Sequence, residues 1–556
     1  MSHRNHPEVL ELDVEQTEAL LCRLEAQRLT PEDFETLRAA LESYLYVTQL
    51  IDHKSTTISR LRKLLFGVET EKTAAVTGHE PASGGKVEPG ATSEADSSSE
   101  AAKKPKGHGR NGANDYPGAI RVTVAHESLR PGDPCPACER GTVYEQAQPG
   151  IVLRFAGQPP VQVTIYELEK LRCHLCGRIF TAQTPEVAGA DKYDPTVASM
   201  IGLLKYGNGL PFNRLDALQE NLGIPLPAST QWDIVSEAYP QLQPAHNELI
   251  REAAQGEVLH NDDTTVKILE LMGERARAAV LADSADEKYV ADAATEPDRM
   301  GLFTSGVVAT REGRRVALFF SGRRHAGENL QEVLRRRATD LPPPIQMCDA
   351  LSRNRPRELQ TIVANCLAHA RRQFVDVNER FPAECRYVLE AFEVVYRNDH
   401  LAREERLTPK ERLHLHQQHS GPTMEQLQIW LKRQIEEKLV EPNSGLGAAI
   451  GYLRKHWEKL TLFLRLAGAP LDNNLCERAL KKAILHRKNA LFFKTRHGAT
   501  VGDMYLSLIH TCELNGANPF DYLTALQRHA SEVAVAPGGW MPWNYRHNIP
   551  CASDTA

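Results

Sequence analysis

The sequence predicts a multidomain α/β protein, and three features indicate it. Two Cys-x-x-Cys pairs precede a series of strand-like segments, and long segments with helical periodicity lie on both sides of that series. The 556 residues are 41% hydrophobic, which is enough apolar material for several cores. No apolar run approaches the roughly 18 residues of a membrane span, and the N-terminus lacks the layout of a secretory signal. We therefore expect a cytoplasmic protein with reduced thiols and no membrane contact.

The first segment, residues 1–67, is predicted to be helical. Thr30-Pro31-Glu32-Asp33 supplies a capping hydroxyl, a proline at the first helical position and acids in the first turn. Apolar residues then recur in steps of seven, at Leu37, Tyr44, Ile51, Ile58 and Leu65. This pattern predicts either a coiled coil that joins two chains or an amphipathic helix that packs on its own domain. Residues 68–117 are rich in Gly, Ser, Pro and Ala, which predicts a disordered linker.

The two cysteine pairs lie in the next segment, residues 118–185. Each pair places two thiolates on one tight turn, and together they complete a tetrahedral site for a structural Zn²⁺. Residues 161–165 alternate between apolar and polar side chains, which predicts a strand and hence a zinc ribbon. His174, inside the second pair, is expected to be a bystander. The predicted zinc ligands are Cys135, Cys138, Cys173 and Cys176.

Residues 186–255 are predicted to be helical and to bind DNA. An amphipathic stretch from Leu210 to Leu222 ends at Gly223, and Ser229 or Thr230 is expected to cap a second short helix. This layout fits a helix-turn-helix, which places its second helix in a major groove. Two helices joined by a glycine turn also form an ordinary αα-corner.

Residues 256–352 are predicted to form a series of strands that carries two candidate site acids. Residues 257–269 form a strand in which Asp262 shares one face with His260 and Thr264. An acid in mid-strand opposes strand propensity and favours a functional role. Three further strands (277–282, 306–310 and 315–321), a helix (327–337) and a short strand ending at Asp349 follow. This succession is typical of a ribonuclease-H-like sheet, in which Asp262 and Asp349 would lie side by side and bridge divalent metals.

Residues 471–531 are predicted to complete this core with a third carboxylate, Glu477, after a helix cap at Asn474. Glu477 also fits a capping-box residue or an ion-pair partner of Lys481. The stretch from Arg478 to Gly502 holds no acid, which favours contact with a DNA backbone. Its predicted DNA-binding residues are Arg478, Lys481, Lys482, Arg487, Lys488, Lys494 and Arg496. The tail, residues 532–556, is predicted to be a loop.

Residues 353–470 separate Asp349 from Glu477 and are predicted to form an α-helical insertion. Within it, Cys366 and His369 are followed by Arg371 and Arg372. His369 is a candidate for a role beside the scissile phosphate, and it also fits a histidine buried in a helix. The two arginines are candidate DNA contacts.

These motifs resemble those of the IS66 transposases of bacterial insertion sequences. The resemblance covers roughly residues 30–530 and is most specific at Asp472-Asn-Asn-x-x-Glu-Arg478, His486-Arg-Lys-Asn489 and Asn515-Gly-x-x-Pro519. Further matches are Gly107-His-Gly-Arg110 and Cys366-Leu-Ala-His-Ala-Arg-Arg372. The resemblance implies a metal-dependent DNA transposase of the DDE type, with Asp262, Asp349 and Glu477 as catalytic acids.

The resemblance also implies cofactors and partners. Two Mg²⁺ or Mn²⁺ ions would serve phosphodiester hydrolysis and 3′-OH strand transfer, on terminal inverted repeats and target DNA. We expect a homodimer or larger assembly through the coiled coil, and small accessory proteins of the same element. The residues that follow Asp262 and Asp349 differ from the family's usual Asp-Glu-Thr and Asp-Gly-Tyr. Two alternatives therefore stay open: a zinc-containing DNA-binding protein without activity, and a ribonuclease-H-like nuclease or resolvase.

Overall fold

The structure is a computed structural model of the whole chain. It describes residues 191–273 and 301–549, parts of 124–189, and a few residues between 23 and 38. The described residues fall into two compact units. One is built from residues 83–369 and 456–556, and the other from residues 1–82 and 370–455. Among the described residues, no helix combines the length and the apolar character needed to cross a membrane.

The predicted helix start at Thr30 is confirmed. Oγ1 of Thr30 accepts a hydrogen bond from the backbone N–H of Asp33 (3.3 Å), and Asp33 accepts one from the N–H of Thr30 (2.9 Å). Residues 33–38 are helical. The heptad positions beyond Arg38 lie outside the described residues, so the coiled coil stays a prediction.

The cysteine module contains a two-stranded antiparallel sheet. Its strands are β1 (Lys170–Arg172) and β2 (Ile179–Thr181), which flank the second cysteine pair. The strand predicted at residues 161–165 is wrong. The backbone N–H and C=O of Val161 bond instead to the side-chain amide of Gln219 (3.4 and 2.9 Å), while Val163 and Ile165 face solvent.

Four helices follow and confirm the helical prediction for this segment. They are α1 (Pro195–Gly202), α2 (Phe212–Asn221), α3 (Ala228–Glu237) and α4 (Tyr239–Ala254). α1 runs on into a π-helical turn at Leu203–Gly207. Gly223, with φ of 74°, turns the chain between α2 and α3. Neither Ser229 nor Thr230 caps α3, because that helix already begins at Ala228, whose N–H donates to Asp216 (3.3 Å).

The central sheet has five strands in the order β5-β4-β3-β6-β7. The strands are β3 (Val258–Thr265), β4 (Phe303–Arg311), β5 (Arg314–Gly322), β6 (Ile345–Cys348) and β7 (Ile362–Asn365). β3, β4 and β5 are antiparallel, whereas β3, β6 and β7 are parallel. The helix α5 (Ala326–Leu334) joins β5 to β6. The predicted strand at 277–282 lies outside the described residues.

β7 corrects one part of the prediction, since its residues fall in a segment expected to be helical. The helices that follow are α6 (Leu367–Val377), α7 (Pro382–Glu404), α8 (Pro409–Leu415), α9 (Gly421–Glu436) and α10 (Gly445–Leu460). Most of their residues form the second unit. Its interior holds a buried polar network in which Asp399 accepts hydrogen bonds from Arg412 (2.7 Å) and His416 (3.3 Å). His416 opens a π-helical turn at His416–Ser420.

The chain then returns to the first unit. It forms α11 (Asn474–Ala490), α12 (Arg496–Leu514), α13 (Pro519–Arg528) and α14 (Ala530–Val535). The core lies between the sheet and these helices, together with α1, α3 and α4. The prediction that the C-terminal tail is only a loop is wrong for the part that the structure describes, which ends at Ile549. It contains two 3-10 turns and buries Trp540, Met541 and Tyr545 in this core.

α12 covers the outer edge of β5 with a row of polar side chains. The N–H groups of Ser321, Phe319, Ala317 and Arg315 donate to side chains spaced four residues apart on or just after α12: Asp503, Ser507, Thr511 and Asn515 (2.6–3.2 Å). A row with this spacing runs along one face of a helix. These four backbone N–H groups at the edge of the sheet therefore have partners.

Candidate functional site

Asp262 lies in the middle of β3, on the face that α11 covers. It is paired across the sheet with Gly306 of β4. A Cβ at Gly306 would lie 3.1 Å from Cγ of Leu480 and 3.3 Å from Sγ of Cys476. The missing side chain thus lets α11, which carries Glu477, approach the strand that carries Asp262.

Asp263 faces the other way. Its carboxylate accepts a hydrogen bond from Nδ1 of His325 (2.9 Å) and lies 3.4 Å from the guanidinium of Arg353. Its side chain is only 2% exposed. His325 precedes α5, so Asp263 belongs to the opposite face of the sheet, as strand alternation predicts.

Asp349 follows β6 directly, next to β3 in the sheet. The side-chain amide of Asn354 donates to Asp349 (2.6 Å) and approaches Asp262 (3.4 Å), so one NH₂ group joins the two carboxylates. Asn354 is fully buried, and its backbone oxygen accepts hydrogen bonds from Asn261 (2.7 Å) and Gln346 (2.6 Å). These two bonds fix the backbone of the residue whose side chain joins the carboxylates.

Burial raises the pKa of Asp262 to about 6, and the negative charges of Asp349 and Asp263 act in the same direction. The backbone N–H of Asp263, which donates to Asp262 (2.8 Å), and the nearby His369 oppose that rise. Two carboxylates in a partly buried pocket repel each other unless a proton or a cation lies between them.

Glu477 lies on the first turn of α11, beside His369 of α6. Nδ1 of His369 is 3.6 Å from Oε1 of Glu477. That nitrogen is buried and makes no hydrogen bond within the described part of the chain. Ligand atoms of Cys366, His369 and Glu477 lie within 4.8 Å of one another, and this is the one such group of three among the described residues. The structure thus joins Asp262 to Asp349, and Glu477 to His369, without bringing all three acids within that distance.

The predicted cap at Asn474 is wrong by one residue, because α11 starts at Asn474 after Asn473. Asn473 does not cap the helix with its side chain. Its side chain is fully buried, donates to the carbonyl of Asn261 (3.1 Å) and lies 3.2 Å from Nδ1 of His260, while its backbone N–H points to Sγ of Cys366 (3.2 Å). Asn473 therefore ties the start of α11 to β3.

Some of the predicted DNA-binding residues bond to other parts of the protein, and the others have side chains exposed to solvent. Lys482 pairs with Glu513 (2.9 Å), and Arg487 donates to the hydroxyls of Thr264 (3.1 Å) and Thr265 (2.7 Å) at the end of β3. The backbone N–H of Arg496 donates to Glu270 (2.6 Å). The residues with exposed side chains are Arg478, Lys481, Lys488 and Lys494. Arg371 and Arg372 lie on α6, in the second unit.

The first predicted zinc turn has the geometry of a thiolate turn. The N–H of Cys135 donates to the carbonyl of Gly141 (2.8 Å). The N–H groups of Arg140 and Gly141 point at Cys138 and lower the pKa of its thiol. Cys173 and Cys176 lie outside the described residues, so the four-cysteine site stays a prediction.

Comparison with known proteins identifies the family. A family model described as "Transposase IS66 family" matches residues 192–501. That span contains the central sheet, the three acids and all seven cations of the basic segment, the acid-free stretch from Arg478 to Gly502. The chain belongs to this family. Its IS66 membership gives it a transposase role, and with it the binding of transposon ends and the use of a divalent metal.

Three proteins of Sinorhizobium fredii are related to this IS66 member. They carry the names uncharacterized protein y4hP, y4jD and y4qI and are 28%, 26% and 25% identical to it. The alignments cover 68%, 63% and 62% of this chain, and 67%, 66% and 61% of the three relatives. No solved structure matches the chain.

Proposed function

We propose that the protein is a DDE-type DNA transposase that cleaves insertion-sequence ends and joins the freed 3′-OH to target DNA. Asp262, Asp349 and Glu477 are its catalytic carboxylates. One observation carries the proposal: Asp262 and Asp349, from neighbouring parallel strands, converge on the amide of Asn354. The strand order, with three antiparallel strands followed by two parallel ones, supports a ribonuclease-H-like core.

The residues fit a pair of Mg²⁺ or Mn²⁺ ions. Carboxylate oxygens are the donors that these ions prefer, and the charge of Asp349 that raises the pKa of Asp262 would be offset by a cation between them. Asp262 and Asp349 would hold the ions, with Glu477 completing the set. Bound there, the ions would activate water or a 3′-OH and stabilise charge on the phosphate.

The chain's own residues prepare this site. Asn354 orients the two aspartates, and Asn473 fixes the start of α11 against β3. His369 lies beside Glu477 with a buried Nδ1 that makes no hydrogen bond to the described residues, which supports a role in positioning Glu477 or contacting the phosphate. The exposed cations after Glu477 and the helices α2 and α3 would hold the DNA.

The proposal has three further parts: a structural zinc site, a coiled coil and accessory proteins. A structural Zn²⁺ bound by Cys135, Cys138, Cys173 and Cys176 is supported by the turn at the first pair. A coiled coil in residues 1–67 would join two copies, so that both transposon ends are held together. Small proteins of the same element would assist.

Cleavage of a labelled duplex that carries the inverted repeat flanking the gene tests the catalytic assignment. Asp262→Asn and Glu477→Gln should each abolish Mg²⁺-dependent cleavage and leave duplex binding intact. Asp340→Asn, which changes an exposed carboxylate outside the site, is the matched control and should cleave normally. Full cleavage by either site variant would refute the assignment. Products joined through a 3′-OH separate transposition from simple hydrolysis.

A further inference from the structure

Two large apolar side chains are exposed inside the basic segment. Leu491 and Phe492 follow α11 directly, and their side chains are 62% and 43% exposed. They lie within the stretch from Arg478 to Gly502, which contains seven Lys and Arg residues and no acid. Exposed apolar residues of this size mark contact surfaces when they cluster in a charged setting.

The backbone presents these two side chains rigidly. Leu491 has φ of 69°, in the left-handed region that leucine rarely adopts. Its N–H donates to the carbonyl of Arg487 (2.9 Å), and the N–H of Phe492 donates to that of Ala490 (2.8 Å). Such strain persists only where the surroundings enforce it, and it clusters at functional sites.

The same turn is attached on one side to β3 and on the other to the segment that follows β3. Before it, Arg487 bonds to the hydroxyls of Thr264 and Thr265. After it, Phe493 exchanges backbone hydrogen bonds with Lys267 and Leu269 (both 2.9 Å) and stacks its ring on His486 (centroids 4.8 Å apart). Leu491 and Phe492 are therefore fixed relative to the strand that carries Asp262.

One exposed face of α11 leads from Glu477, in the first turn of the helix, to this turn. Arg478, Lys481, Leu485 and Lys488 follow one another in steps of three and four residues, so they form a single stripe. At a rise of 1.5 Å per residue, the 14 residues from Glu477 to Leu491 span about 21 Å. That length equals about six base steps at about 3.4 Å each.

We propose that Leu491 and Phe492 form an apolar wedge that inserts at a base step of the transposon-end duplex, about six base pairs from the scissile phosphate. The cations of the stripe follow the phosphate backbone between the two points. The inference rests on the proposed function. The surrounding positive charge favours DNA over a protein partner, and an apolar side chain can replace the stacking contacts of an opened base step.

The test uses the full-length protein and a duplex with the flanking inverted repeat, in which 2-aminopurine replaces one base at a time from the third to the ninth position. Wild-type protein should raise the fluorescence most near the sixth position, because unstacking relieves quenching. Phe492→Ala should remove this rise and weaken binding by about 5- to 150-fold, the usual effect of losing one stacking contact. Phe492→Tyr should retain both effects.

Two controls sharpen the result. Val535→Ala removes an apolar side chain that is 87% exposed and lies outside the basic segment, so it should behave as the wild type. A mismatch at the opened base step should restore the affinity of Phe492→Ala for the duplex, because the bases at a mismatch are already partly unstacked and the protein need not open them.

Several outcomes would overturn the wedge. Unchanged affinity and fluorescence in Phe492→Ala would do so while leaving the proposed function intact, provided that Asp262→Asn still abolishes cleavage. A change in oligomeric state alone would assign Leu491 and Phe492 to a contact between proteins. If the wild type neither binds nor cleaves the duplex, the proposed function fails together with the wedge.

Discussion

Asp503 on α12 offers a direct test of how the sheet edge is held. Its carboxylate is buried and accepts hydrogen bonds from the backbone N–H (2.6 Å) and the hydroxyl (2.8 Å) of Ser321. Burial raises the pKa of Asp503 to about 7, and these two bonds only partly oppose the rise. The change Asp503→Asn keeps an acceptor for the backbone N–H and removes the charge.

The magnitude follows from the difference between the folded and unfolded pKa. A rise from about 3.9 to about 7 corresponds to at most about 4 kcal/mol of stability. The folded state binds the proton more tightly, so this contribution is complete below about pH 4 and is lost as the pH rises through about 7. Above about pH 7 the wild type must bury a charged carboxylate, whereas the Asn variant buries a neutral amide.

Urea unfolding of both proteins between pH 4.5 and 8 provides the measurement. The free energy of unfolding of the wild type should fall with pH relative to that of Asp503→Asn, and the variant should be the more stable protein at pH 8. Asp503→Ala, which also removes the acceptor, should be less stable than Asp503→Asn at every pH. A difference between wild type and Asn variant that does not change with pH would refute the reasoning.

Three other changes have expected outcomes. Gly306→Ala places a Cβ 3.1 Å from Leu480, and the resulting shift of α11 should slow single-turnover cleavage by about 10- to 100-fold. Adding Leu480→Val to this variant should recover part of the rate. An unchanged rate in Gly306→Ala would contradict the packing argument. Asn354→Ala removes the amide that lies between the two carboxylates. Because their repulsion is then offset only by a cation, Mg²⁺ should raise the melting temperature of the variant more than that of the wild type. Equal shifts of the two melting temperatures would argue against a metal at this site. Asp399→Ala removes the buried carboxylate that pairs with Arg412 and should destabilise the second unit by about 3–5 kcal/mol. Limited proteolysis should then cut within residues 370–455 first, and a wild-type digestion pattern would oppose this.

The strands that carry the acids could be predicted because they break a local rule. Asp262 interrupts a strand-forming run, and Asp349 ends a short apolar one, so each is visible within a few residues. The three antiparallel strands and the helix before β6 follow from alternation and turn residues in the same way. β7 was missed because four residues are too few to separate a strand from a buried helix segment by periodicity.

The residues that hold the site together were beyond sequence reasoning. Asn354 meets Asp262 across 92 positions of the chain, and Asn473 meets His260 across 213. An asparagine near a turn or at a helix start has an ordinary local explanation, so nothing local marks these two. The error at residues 161–165 has the same origin, since the amide of Gln219 lies 58 positions from the backbone it bonds.

The ribosome synthesises β5 well before the side chains of α12 that bond to its outer edge. Four N–H groups of β5 bond to side chains that lie 182 to 200 residues further along the sequence. At about 5–20 residues per second, a ribosome leaves that edge open for roughly 10–40 s. During this interval the nascent sheet can pair with another strand, and a chain that stops before α12 keeps this exposure permanently. Synthesis of the last third of the protein thus closes an aggregation-prone edge made long before it.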